Sequence, residues 1–213
     1  MDAERFVTAW SGAGGSALRA RHLFAEVFER YAEPGRHYHT PGHITHCLCQ
    51  LESVAHLFEV RWGAELAIWF HDVIYVTGSK NNERDSARYF LECSGGQLDN
   101  ARRRRIARHI LATRHPSNPR DPDSRLLVDV DLSSFAIPWA RFLRDTVNVR
   151  RETAVTATAL EYARRQHQFL QTLSANSHIF LSQYFRSNFE ASARDNIQRL
   201  MDLLVARQSD ADT

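Results

Sequence analysis

Apolar residues recur three and four positions apart in Leu18 to Tyr31, Ile44 to Phe58, Leu66 to Ile74 and Ile197 to Val205, the period of an α-helix that buries one face. Strand-like alternation is scarce. Turn-forming residues interrupt the pattern at Gly12 to Gly15, Glu33 to Gly35, Thr77 to Asn81, Ser94 to Gly96 and Pro116 to Pro122. The segments between them predict helices over 2–10, 16–32, 41–58, 63–74, 82–94, 97–113, 124–134, 138–147, 152–174 and 188–206. The expected fold class is therefore an all-α bundle. Thr40 is placed to cap the third helix and Pro41 to fill its first turn, where a missing N–H costs nothing.

With 213 residues, 43% of them hydrophobic and 24% charged, the chain fits a folded globular protein. A chain of this length buries roughly 70% of its unfolded surface, so it folds without a structural metal or disulfides. We expect a single domain over 1–207, with a core of about 16–137, a C-terminal helical extension over 138–207 and a polar, frayed tail over 208–213. The net charge of +2 argues for neither a nucleic-acid nor a membrane surface. The run of four arginines at 102–105 spreads around a helix axis and reads as a solvated, ion-paired face. Three cysteines without zinc-site spacing, an acidic N-terminus and no apolar run near ~20 residues point to a reduced, cytoplasmic setting.

Chemistry enters at WFHDVIY, residues 69–75, where His71 and Asp72 stand side by side in an apolar run. A buried carboxylate must be paired or bound to a cation, and a neighbouring imidazole invites the cation. Two further stretches offer ligands: RHYHTPGHITH, residues 36–46, with four histidines, and LLVDVDLSSF, residues 126–135, with Asp129 and Asp131. Two residues apart on a helix, those aspartates face nearly opposite sides.

Taken with NNERDSA (81–87), ATRHP (112–116) and ASARDNIQRL (191–200), these stretches make the chain resemble the HD superfamily of metal-dependent phosphohydrolases, whose signature is an upstream histidine, a His-Asp doublet and a distant aspartate. The resemblance covers most of the chain and implies an HD-like helical bundle with additional C-terminal helices. It also implies His43 as first ligand, with His39 and His46 as rivals, then His71 and Asp72, and finally Asp131, with Asp129 as rival. Two imidazoles and two carboxylates suit a divalent ion such as Mn²⁺, Mg²⁺, Co²⁺, Ni²⁺ or Fe²⁺, with Zn²⁺ also compatible.

The implied activity is hydrolysis of a phosphomonoester or phosphodiester in a nucleotide or similar small metabolite by metal-activated water. Asp72 is expected to help deprotonate that water, and Glu83 to act as general acid or base. Arg36, Thr113 and His115 are the expected phosphate contacts. The alarmone-hydrolysing branch follows its doublet with an acidic pair, which Val73, Ile74 and Tyr75 replace here. Two other readings compete: a di-iron oxygenase recruiting His39 or His109, and a non-catalytic helical scaffold whose late helices serve homo-oligomerisation.

Overall fold

The computed structural model describes residues 1–115, 117–154 and 156–211, with side chains through Ala206. Its helices are α1 (Ala3–Gly12), α2 (Ala17–Tyr31), α3 (Pro41–Ser53), α4 (Arg61–Phe70), α5 (Asn82–Cys93), α6 (Asn100–Ala112), α7 (Pro122–Leu132), α8 (Trp139–Thr153), α9 (Ala159–Ser174) and α10 (Gln183–Ala211). Two short 3-10 turns, Ala55–Leu57 and Ser133–Ala136, follow α3 and α7. The described residues contain no strand, and the fold is all-α. No helix among them is long and apolar enough to cross a membrane.

The chain divides into two compact units, Met1–Asp131 and Leu132–Thr213, so the division falls at the end of α7 and not at 137/138 where the C-terminal extension was expected to begin. In the first unit α4 is buried at every position from Gly63 to Phe70, and a helix buried on all sides has to be surrounded. It packs against α1, α3, α5 and α6. Phe6 meets Trp69 edge-on at 5.4 Å between centroids, and Phe70 meets Phe90 at 5.1 Å, in geometries that favour aromatic pairs. Between α1 and α2 the chain passes so close to the Trp10 indole that a Cβ at residue 15 would collide with it, which explains Gly15.

The apolar period predicted α4 through residue 74, yet the helix stops at Phe70. The reason is tertiary. Beyond Phe70 the backbone groups that would continue the helix are taken by side chains: Arg36 donates to the carbonyls of Asp72 (2.7 Å) and Val73 (3.0 Å), Ile74 N–H donates to Ser86 Oγ (3.0 Å), and Val76 N–H donates to Asn82 Oδ1 (2.9 Å). His71 and Asp72 thus lie at the helix end and in the turn behind it.

In the second unit, α10 packs on the 3-10 turn and on α8 and α9. Asn196 donates to the carbonyls of Phe135 and Ile137, both at 2.8 Å, and Arg194 donates to those of Ser174, Asn176 and Ser177. The ARDN segment therefore holds loops in place. α9 starts at Ala159 and not at 152, because Thr158 and Glu161 form a reciprocal capping box there. α10 starts at Gln183, ahead of the predicted 188, and continues through Ala211 where a frayed tail was expected; Asp212 and Thr213 lie outside the described residues.

Candidate metal centre

Three helix ends of the first unit converge on one point. Thr40 caps α3 by accepting from Gly42 N–H at 3.3 Å, Pro41 occupies the first turn, and His43 follows in the same turn with its ring buried. From the end of α4 come His71 and Asp72. Asp131 comes from the last turn of α7.

His43 Nε2 lies 3.2 Å from His71 Nε2, 3.3 Å from Asp131 Oδ1 and 3.6 Å from Asp72 Oδ2. His71 Nε2 lies 3.0 Å from Asp72 Oδ2 and 3.5 Å from Asp131 Oδ1. One ligand atom each from His43, His71 and Asp131 falls within 4.8 Å of the others. The structure thus brings His43, His71 and Asp131 into one possible metal cluster, and Asp72 contacts both of its histidines from outside that set. His39 is a neighbour, its Nε2 3.8 Å from Asp72 Oδ2 and its ring stacked on Tyr75 at 4.0 Å. His46, a turn further along α3, is half-buried, and Asp129 is fully buried.

The hydrogen-bond partners fix the chemistry of the centre. His71 Nδ1 lies 2.9 Å from the Ile68 carbonyl, which can only accept, so Nδ1 carries a hydrogen and Nε2 is left facing two carboxylates and a second imidazole. Acceptors facing acceptors in a buried site repel unless a proton or a metal ion lies between them. A backbone carbonyl orienting the remote nitrogen is also the usual support of a ligating histidine. Two imidazole nitrogens and two carboxylates fit a divalent ion.

The electrostatics follow. Burial pushes the His71 imidazole down, but Asp72 and Asp131 outweigh it and hold the group well above the ordinary value. Burial pushes both carboxylates up, and the surrounding histidines, His71 foremost, overcome it and hold them below the ordinary range. The Cys47 thiol, 3.7 Å from His43 Nε2, is raised by burial and then by the two aspartates, which keeps it protonated and a poor ligand.

The remaining expected site residues have other partners. Arg36, its side chain 4% exposed, spends its guanidinium on the carbonyls of Asp72, Val73 and His39 and on Glu33, between the rings of Tyr31 and Tyr75. It clamps the doublet's turn to the histidine stretch and does not face a ligand. Thr113 is buried and donates its hydroxyl to the Ile110 carbonyl at 2.8 Å. His115 Nε2 lies 2.8 Å from Asp131 Oδ2, so the imidazole orients a carboxylate of the centre. Glu83 is half-buried in the first turn of α5 and, among the described residues, forms no hydrogen bond or ion pair with the cluster. His109 is bonded to Ser124, outside the cluster.

One supporting residue went unnoticed in the sequence. The Tyr31 hydroxyl donates to the Trp69 carbonyl and accepts from Asp72 N–H, tying α2 to the doublet. The available signal was a tyrosine on the apolar face of α2, since a buried phenol needs a partner. No protein-family model, curated protein or solved structure matches this chain, and the reading of the centre rests on its own chemistry.

Proposed function

We propose that the protein is a cytoplasmic, divalent-metal-dependent phosphohydrolase acting on a phosphomonoester or phosphodiester of a nucleotide or similar small metabolite. The observation that carries this reading is the convergence on His71 Nε2, oriented by the Ile68 carbonyl, of Asp72, Asp131 and His43. Such a cluster favours a cation at its centre, and the motif order resembles that of the HD phosphohydrolases.

His43, His71, Asp72 and Asp131 would hold the ion, which supplies Lewis-acid polarisation and a low-pKa water. Asp72 would serve as proton acceptor for the attacking water, its carboxylate kept ionised by the imidazoles around it. His115 fixes the second oxygen of Asp131, and Arg36 fixes the backbone of the doublet, so that both carboxylates are oriented before substrate arrives.

The test is turnover of a panel of nucleotides and a chromogenic phosphodiester by protein loaded with Mn²⁺, Co²⁺ or Mg²⁺. Release of phosphate or nucleoside that stops on chelation supports the assignment; fully metallated protein that cleaves none of them overturns it. His39, 3.8 Å from Asp72, favours a second reading as a di-iron oxygenase. Two irons per chain, counted by metal analysis after anaerobic iron loading, would establish that reading over hydrolysis.

A further inference from the structure

Away from the metal centre, α6 and the segment leading into α7 enclose a cavity of about 530 Å³, within the size range of small-molecule sites. Its lining carries three guanidinium groups, Arg105, Arg108 and Arg120, against the single carboxylate of Asp121. Arg105 is engaged, 2.8 Å from Glu59 Oε2 and 3.5 Å from Asp123 Oδ2. Arg108 and Arg120 are exposed and, among the described residues, make neither a hydrogen bond nor an ion pair. Leu111 and Pro119 add apolar surface.

The inner wall holds an unmet polar atom. Asp121 Oδ2 accepts from both the N–H and the hydroxyl of Ser124, each at 2.8 Å, which commits the hydroxyl hydrogen. His109 Nδ1, 2.8 Å from Ser124 Oγ, must then be the donor of that contact, leaving Nε2 with a lone pair. His109 is 1% exposed, and its Nε2 is buried without a partner. Burial holds the ring below the ordinary imidazole value and so neutral. A buried acceptor left unmet is costly, and a ligand carrying an N–H or O–H would satisfy it.

Two unpaired guanidinium groups beside a neutral acceptor and an apolar wall define the ligand's chemistry: an anionic oxygen group on one side, a donor-bearing body on the other. We propose that this cavity binds a small phosphate-bearing molecule with a hydrogen-bond donor on its body, such as a nucleoside diphosphate, at a site that shares no residue with the metal centre. The inference goes beyond the hydrolase reading and stands independently of it.

The test is calorimetric titration of the full chain with ADP in excess EDTA at low salt, so that metal-dependent binding at the other site is absent. Parent protein should bind, and the Arg108→Gln/Arg120→Gln double variant should bind about tenfold or more weakly with an unchanged helical dichroism signal. Because both arginines are exposed, the variant is expected to fold. The proposal is overturned if ADP does not bind the parent protein, or if it binds the double variant as tightly.

Discussion

Glu65 and Asp123 are carboxylates of the first unit as deeply buried as any in the metal centre, yet their surroundings are of the opposite kind. Glu65 accepts from Arg5 at 2.9 Å and from Arg61 at 3.0 Å. Asp123 accepts from the N–H groups of Glu59 (2.9 Å) and Val60 (3.1 Å), just ahead of α4, with Arg105 beyond them. Every near neighbour is a fixed donor. Asp72 and Asp131 instead face imidazoles and share one of them, His71 Nε2 lying 3.0 Å from Asp72 Oδ2 and 3.5 Å from Asp131 Oδ1. A buried acid surrounded by fixed donors is complete as folded protein, whereas two acids that share one imidazole nitrogen need a proton or a metal ion between them. That contrast divides the buried carboxylates of this unit into two kinds.

The sharpest way to break the contrast is to remove one acid of each kind. Asp72→Ala should abolish tight Mn²⁺ binding and lower metal-dependent turnover by roughly three orders of magnitude, since the ion's several kcal/mol of transition-state stabilisation counts about tenfold per ~1.4 kcal/mol. Its helical signal in EDTA should stay close to the parent's. Asp123→Ala should do the reverse: it orphans two backbone N–H groups and should destabilise the unit by about 3 kcal/mol in denaturant unfolding. In the folded fraction, Mn²⁺ affinity should be unchanged. If Asp72→Ala unfolds the protein while Asp123→Ala weakens metal binding, the division between the two kinds of acid fails.

A smaller effect is expected where the metal centre borrows a donor of its own. His115 holds Asp131 Oδ2 at 2.8 Å, a contact in which that carboxylate resembles Asp123. His115→Ala should weaken Mn²⁺ by ~10–100-fold while leaving the ligand set intact, as removal of supporting partners generally does. A substrate-contacting role would instead leave metal affinity unchanged and raise KM alone. Equilibrium dialysis against Mn²⁺ and steady-state kinetics on the same preparation separate the two outcomes.

Much of this was legible in the sequence, and the part that was not has one cause. The period-3.6 pattern and the cap at Thr40 located most helices, because both are local properties of the chain. The doublet stood out because a charged pair in an apolar run needs an explanation. What local pattern could not give was the end of α4, since Val73 and Ile74 continue its apolar period while Arg36, Ser86 and Asn82 take the backbone bonds. For the same reason the orientations of Arg36, Thr113 and His115 were hidden. Residue type says that a guanidinium or an imidazole has donors; only the fold says whether a carbonyl, a carboxylate or a ligand receives them.

The smallest expected effect is a pH dependence that separates a proton from a metal ion at the centre. In EDTA, His71 has a folded value above its ordinary 6.5, so its contribution to stability is complete below that value and is lost as pH rises through the raised one. Asp72 and Asp131 are depressed below 3.8, so their contribution is present above the ordinary carboxylate range and is lost only as pH falls through the lowered values. Metal-free protein should therefore be most stable between about pH 4 and 6.5 and weaken on the alkaline side. A divalent ion must displace the His71 proton, so Mn²⁺ affinity should rise by about tenfold per pH unit until the raised value is passed. Calorimetry in two buffers of different ionisation enthalpy should find about one proton released per ion bound. Binding with no proton release and no pH slope would mean that the ion is held elsewhere, and the cluster would then be a protonated, structural ion pair of the same kind as Glu65 with Arg5 and Arg61.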